Sequence, residues 1–368
     1  MAVGAVAAGC GSTKASTGPA QPRAKAGTLL WRASATTVLA VAEAASTLCV
    51  AQGLAGLRGL SATSGQQSWS QSGKQAAYLT LTAIADQAFI VTTGSAVVAL
   101  DPATGHQKWR FSLPVVTGLP NVPLFATDDT TVYASGMTLS TAIPQYYIFA
   151  IDAATGERKW ATYFPLTTGI SLLTAGNGTV CALGGAAAAD MIALDAKTGA
   201  RTWTAPGPAV PLQGSITAGV ISGAVASAGN KSGVVAIDVS NGKTLWTSNV
   251  GSNLQDTASG DGIVYASSFN GPARDGVPGE LAALDARSGK NLWTRRFPEG
   301  APSNLQPSGG VVYTGFGSTL YILDGQTGDT LWTYKMALTG KDQLSHITPT
   351  SSTVYLASLN NTIFAVSA

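Results

Sequence analysis

The stretch Ala99-Leu100-Asp101-Pro102-Ala103-Thr104-Gly105-His106-Gln107-Lys108-Trp109 holds the end of one strand, a turn and the start of another. The Asp starts the turn by accepting hydrogen bonds from backbone N–H groups just ahead of it. The Gly supplies a positive φ that β-branched residues resist. The Trp, four residues further on, falls inside the next strand. There a large ring can wedge between neighbouring layers while its indole N–H finds a backbone acceptor.

The same unit returns at Asp152 with Gly156 and Trp160, at Asp195 with Gly199 and Trp203, and at Asp238 with Gly242 and Trp246. It appears again at Asp285 with Gly289 and Trp293, and at Asp324 with Gly328 and Trp332. A weaker copy has Ser61 in the Asp position, followed by Gly65 and Trp69. All 8 tryptophans stand four residues after a glycine, the first being Trp31 after Gly27. Successive tryptophans lie about 38 to 51 residues apart, the length of a four-stranded propeller blade. A second repeated strand precedes the Asp strand, in Thr131-Val132-Tyr133, Ile263-Val264-Tyr265, Val311-Val312-Tyr313 and Thr353-Val354-Tyr355. With a strand before it, each unit supplies strands A, B, C and D of a blade.

The last copy ends after Thr362-Ile363-Phe364-Ala365-Val366, without its Gly-x-x-x-Trp strand. The orphan strand from Gly27 to Arg32 is the missing piece. The predicted fold is therefore all-β, an eight-bladed β-propeller of four-stranded antiparallel blades, closed by the N-terminal strand completing the last blade. Closure leaves no free edge at the seam. The tryptophans Trp31, Trp69, Trp109, Trp160, Trp203, Trp246, Trp293 and Trp332 are assigned to docking one blade on the next. Burying each ring is worth about 2 to 3 kcal/mol.

Composition agrees with this reading. In a chain of 368 residues, charged residues make up only 11% while Gly occupies 43 positions, which suits many short strands and tight turns. A net charge of +2 without a basic cluster gives no footprint for nucleic acid or acidic lipid. The 3 cysteines do not describe a disulfide framework, and Cys49 and Cys181 sit in strand-like contexts suited to buried thiols. The apolar stretch Val38 to Leu60 is interrupted by Glu43, Gln52 and Arg58, and aligns with the repeat rather than with a membrane span.

The Asp-x-x-Thr-Gly-x-x-x-Trp units from Gly27 to Ala368 resemble the pyrroloquinoline-quinone-like, tryptophan-docking propeller repeats. That family includes quinoprotein alcohol dehydrogenases and the propeller lipoprotein of the outer-membrane β-barrel assembly machinery. In the enzymes, the resemblance implies a quinone pocket with an adjacent-cysteine disulfide, a Trp floor, a calcium site and a catalytic Asp. The sequence has no Cys-Cys pair and no tryptophan outside the docking positions, so none of these is carried over. His106 and His346 are the only histidines, without metal-ligand spacing, and no acid/base pair, Gly-x-Ser-x-Gly elbow or phosphate loop stands out. The expectation is a non-enzymatic protein of the lipoprotein branch, without catalytic residues, cofactor or metal.

At the N-terminus, Ala5-Val6-Ala7-Ala8-Gly9-Cys10 followed by a Ser/Thr/Pro/Ala/Lys stretch resembles a bacterial lipobox and tether. In that resemblance Cys10 becomes the lipidated first residue. Positions 1 to 9 lack the basic start of a signal peptide, which implies a truncated leader. Two alternatives stay open: a stray exposed Cys, or the outer domain of a longer receptor. The domain reading is 1–26 as truncated signal, lipobox and tether, and 27–368 as propeller.

Alternating strands put the Asp-x-x-Thr-Gly turns on one uniform face and the B–C and D–A connections on the other. Variable loops on a rigid scaffold are where binding concentrates. The B–C insertions Gly136 to Gln145 and Asn270 to Gly279 lie on that second face, with Tyr146 and Arg274 as candidate contacts. Ser252-Asn253-Leu254-Gln255 and Ser303-Asn304-Leu305-Gln306 repeat one tetrapeptide, with looser versions ending at Gln213 and His346. Placed just before strand A, these predict a polar collar of Gln213, Gln255, Gln306 and His346 at the channel mouth. The alternative is that the amides satisfy backbone groups and water. The expected function is an extracytoplasmic, lipid-anchored or secreted monomeric scaffold for a protein or peptide. Its membrane contact is through the lipid alone. The competing readings are the ligand-sensing outer domain of a bacterial Ser/Thr kinase-type receptor and a quinone-dependent dehydrogenase.

Overall fold

The computed structural model describes residues 25–73, 80–84, 86–93, 95–114, 124–138, 145–164, 169–184, 190–206, 214–227, 231–251, 253–269, 271 and 277–368. These residues form eight four-stranded antiparallel sheets, at 40–71, 80–112, 125–164, 170–206, 214–249, 253–297 and 303–335, and at 344–367 together with Leu29–Ser34. We number the blades 1 to 8 in that order. In blade 8 the strands run Leu29–Ser34, Thr362–Ser367, Thr353–Ser358, Leu344–Pro349 from rim to axis, so the N-terminal strand does complete the last blade. Its register pairs Trp31 with Ala365 and Ser34 with Thr362. Gly27 N–H also donates to the Ser367 carbonyl at 2.9 Å.

Each strand's burial follows its place in the blade. Strands B and C lie between neighbouring blades and are covered on both faces, as in Thr47–Ala51 and Ala96–Leu100, where every residue is buried. This is why they read as unbroken apolar runs rather than as alternation. Strand D at the rim buries little besides its tryptophan, as in Gln107–Ser112, where Trp109 is the one buried residue. The residue before each tryptophan has no register partner; Lys108, for example, stands between the pairs Ala99–Trp109 and Leu100–Gln107. Such a bulge sharpens the local twist and re-aims the next side chain.

The apolar side chains gather into eight cores among the described residues, each shared by two adjacent blades. The core at the seam joins Trp31, Tyr355, Ile363 and Ala365 of blade 8 to Leu48, Val50 and Leu60 of blade 1. Strands A stand side by side around the axis, Asn253–Gly260 next to Ser303–Ser308 and Leu344–Pro349 next to Ala40–Ala44.

Candidate functional site

The repeated residues connect blades in a head-to-tail cycle. A Cβ on Gly105 would stand 2.5 Å from Trp69 Cε3, and one on Gly65 2.5 Å from Trp31 Cε3. The cycle continues through Gly156 on Trp109, Gly199 on Trp160, Gly242 on Trp203, Gly289 on Trp246 and Gly328 on Trp293. It closes with Gly27 on Trp332. Every tryptophan therefore covers the turn glycine of the following blade. For Trp31, Trp69, Trp109, Trp160, Trp203, Trp246 and Trp293 the indole N–H also donates to a carbonyl of that turn, as from Trp69 to Pro102 at 2.9 Å and from Trp293 to Gly325 at 2.9 Å. These rings are committed to packing.

The turn carboxylates are committed as well. Asp101 accepts from the Thr104 hydroxyl at 2.8 Å and the Thr104 amide at 2.9 Å. Asp195 does the same with Thr198, and Asp285 with Ser288. The hydroxyl, and after it the amide, hold all three carboxyls below the usual carboxylate range. Such bonds favour the charged form that makes them. Glu43, at the turn-face end of strand A in blade 1, is shifted the other way. Burial raises its carboxyl, against the opposing effect of hydrogen bonds from Tyr355 and Thr350. Cys49 and Cys181 are fully buried, and burial pushes the Cys181 thiol up to about 12. Among the described residues no three His, Cys, Asp or Glu side chains cluster as metal ligands do.

On the face of the B–C and D–A connections, the expected collar residues are found at different depths. Asn253-Leu254-Gln255 and Ser303-Asn304-Leu305-Gln306 lie inside strand A, in Asn253–Gly260 and Ser303–Ser308, rather than before it. Gln255 sits in a bulge between the partners of Ser268 and Ser267, and is exposed. Gln306 is half-buried opposite Tyr313, two rungs deeper than His346, which faces Ala357 two residues beyond Tyr355. His346 places Nε2 3.0 Å from the Leu39 carbonyl, joining strand A of blade 8 to the entry of blade 1. Burial lowers its pKa, with the Leu39 hydrogen bond acting in the opposite sense. Tyr146 is half-buried between blades 3 and 4, paired with Phe164 and Met137. Gln213, Arg274 and Cys10 lie outside the described residues.

A different group of side chains stands out on this face at the seam of blades 8 and 1. Leu54 is 79% exposed, Leu359 59% and Leu39 42%. Leu54 and Leu359 occupy the B–C turns of blades 1 and 8, and Leu39 ends the connection from Ser34 to Ala40. Hydrogen bonds draw these connections together. The Asn361 side chain accepts from Val38 N–H at 3.1 Å, and Leu359 N–H donates to the Gln343 carbonyl at 2.8 Å. A Cβ on Gly53 would lie 3.1 Å from Leu39 Cδ1, so Leu39 leans on the turn carrying Leu54. Arg58 reaches from the start of strand C in blade 1 to the Ser34 carbonyl, Nη1 to O 2.6 Å, while its buried Nε has no hydrogen-bond partner. Lys341 is exposed in the connection that leads to strand A of blade 8. The carboxylate of Asp342 accepts from the amides of Gln343 and Asn360, both at 2.9 Å. This corner is invisible in a residue-by-residue reading because its members come from positions 39, 54 and 359. The local signal is a leucine in the tip of a turn, in Gly53-Leu54-Ala55-Gly56 and Leu359-Asn360-Asn361, where a polar residue is the norm.

Sequence comparison finds the family described as outer membrane protein assembly factor BamB, matched over residues 22–162, 123–275 and 255–368. No curated protein sequence matches. Among solved structures, the computationally designed Ika8 protein is similar at 13% identity, covering 93% of this chain and 100% of its own, with a TM-score of 0.71. BamB from Moraxella catarrhalis is similar at 18% identity, with 93% and 99% covered and a TM-score of 0.60. The quinohemoprotein alcohol dehydrogenase from Comamonas testosteroni is similar at 15% identity, with 92% and 76% covered and a TM-score of 0.61. At these identities the likeness is one of fold, which hosts both binding proteins and enzymes.

Proposed function

Because the chain belongs to the family described as outer membrane protein assembly factor BamB, we propose that it is an extracytoplasmic scaffold that binds a protein partner without catalysis. The observation that carries this reading is the commitment of the repeated residues. The tryptophans cover the turn glycines of the following blades, and the turn carboxylates Asp101, Asp195 and Asp285 hold their own turns. Recognition then falls to the B–C and D–A connections, which a rigid ring presents on one face. Gly136 to Gln145 with Tyr146, and Asn270 to Gly279 with Arg274, are the proposed contact loops, and Gln213, Gln255, Gln306 and His346 add polar groups nearer the axis. Cys10 carries the lipid that holds the monomeric propeller at the membrane.

Affinity capture from membranes with the full chain, and with the two B–C insertions each shortened to a tight turn, tests the binding reading. A partner retained by the full chain and lost with the shortened loops supports it, and equal capture by both overturns it. Metabolic labelling with a fatty acid, compared between the natural chain and Cys10→Ser, tests the anchor. The likeness to a quinohemoprotein alcohol dehydrogenase sets the one enzymatic test required. A thermal stabilisation of several degrees by quinone with Ca²⁺ would overturn the non-catalytic reading.

A further inference from the structure

We propose that Leu39, Leu54 and Leu359 form the docking point for a partner segment that presents a large apolar side chain flanked by carboxylates. The inference deepens the reading that this face binds a protein, and rests on it.

Single exposed leucines are ordinary on protein surfaces, whereas apolar side chains from separate connections meeting at one corner mark an interaction site. Here three connections contribute: the blade 8 to blade 1 crossover, the B–C turn of blade 1 and the B–C turn of blade 8. They are held together by the Asn361 to Val38 and His346 to Leu39 hydrogen bonds and by the contact of Leu39 with Gly53. The arrangement is therefore set before any partner arrives, which lowers the ordering cost of binding.

Charge selects the flanks of the occupant. Lys341 is exposed in the connection leading to strand A of blade 8, just before Asp342, and Arg58, half-buried, stands at the Ser34 end of the crossover with Nη1 donating to the Ser34 carbonyl. The neighbouring carboxylate, Asp342, has its Oδ1 accepting from two backbone amides. The turn carboxylates and Glu43 are at the opposite ends of their strands, on the other face. An approaching carboxylate thus meets two cations against one carboxylate, a net positive corner. Complementary charge of this kind sets specificity and speeds encounter.

The test uses the purified full chain and two fluorescent peptides, one with a Phe flanked by Asp on both sides and one with the Asp residues replaced by Lys. The chain is expected to bind the acidic peptide and to prefer it over the basic one by at least about tenfold at low salt. Leu54→Ser with Leu359→Ser should weaken the acidic peptide by about tenfold or more, and Lys341→Glu should narrow the preference between peptides. Both substituted sites are exposed turns, and an unchanged melting profile verifies the fold. Equal binding of the two peptides, or affinity unchanged in the double variant, would overturn the proposal. So would a concentration-dependent dimer abolished by the same substitutions, which would assign the corner to a second copy of the chain. Membrane capture that survives Leu54→Ser with Leu359→Ser but not loop shortening would leave the scaffold reading standing and remove this one.

Discussion

Replacing Gly105 by Ala places a methyl group against the ring of Trp69. Two costs are combined at this position. Gly105 has φ +72°, a left-handed conformation that costs an L-residue about 1 to 2 kcal/mol. The new Cβ would also stand 2.5 Å from Cε3 and 2.6 Å from Cδ2 of Trp69. That ring cannot swing aside freely, because its indole is bonded to Pro102 in the same turn and its other face lies in the core of blades 1 and 2. Overpacking of this kind adds about 1 to 3 kcal/mol. Gly309 provides the control, with φ +61° and no atom within 4 Å of the position a methyl group would take, so Gly309→Ala has only the conformational cost. For a chain of this size, each kcal/mol shifts the melting midpoint by about 1.5 °C. Gly105→Ala should therefore lower it by about 3 to 7 °C, and Gly309→Ala by about 1.5 to 3 °C. Calorimetry of both variants, repeated in a Trp69→Ala background, separates the two costs. In that background the two substitutions should cost the same, since the ring is gone. Equal costs in the natural background, or a Gly105→Ala penalty unchanged without Trp69, would refute the argument that glycine is required by the ring of the preceding blade.

Other consequences can be measured directly. Glu43 has a folded pKa raised by burial, so its contribution is fully present below the unfolded value and is lost as pH rises through the folded one. Glu43→Gln should accordingly raise the melting midpoint at neutral pH, with the gain vanishing in acid. The turn carboxylates Asp101, Asp195 and Asp285 are shifted down, so their contribution is present above the unfolded value and lost as pH falls through the folded one. Acid unfolding between neutral pH and about pH 2 should be steepest below the ordinary Asp value, near 4. Deleting the chain through Ser34 removes Trp31, worth about 3 kcal/mol, and bares the edge of Thr362–Ser367. Size-exclusion chromatography should then report association or aggregation. Thiol reagents should leave Cys49 and Cys181 unmodified in the native chain and label both on unfolding, since burial raises both thiols.

The blades and their closure are legible in the sequence because they rest on local chemistry repeated many times. Gly27 to Trp31 matches the missing outer strand of the last blade, and pairs with Thr362–Ser367. The pairing of each tryptophan with the glycine of the following blade is not legible, since the motif links Trp69 to Gly65 in sequence while the ring covers Gly105 in space. The tetrapeptide ending at Gln255 and Gln306 misleads for a related reason. Gln255 is ten residues before Tyr265 and Gln306 seven before Tyr313, so identical letters enter their strands at different rungs. Counting back from the strand-B tyrosine, rather than matching the tetrapeptide, recovers the register. The leucine corner could not be read at all, because closing the ring is what brings position 359 beside positions 39 and 54.

The way Leu29–Ser34 joins the ring also decides how the protein bears load. The strand begins on the turn face, where the chain enters at Gly27, and ends at Ser34 beside the leucine corner on the opposite face. Tension applied between these two ends runs along the strand axis. It therefore shears the pairs from Leu29–Val366 to Ser34–Thr362 together, instead of peeling them one at a time. Trp31, buried against Ala62 through its indole bond, acts as a peg across that line of force. Placing the chain's own junction in the last blade thus makes the ring's closing joint one that is loaded in shear rather than in peel.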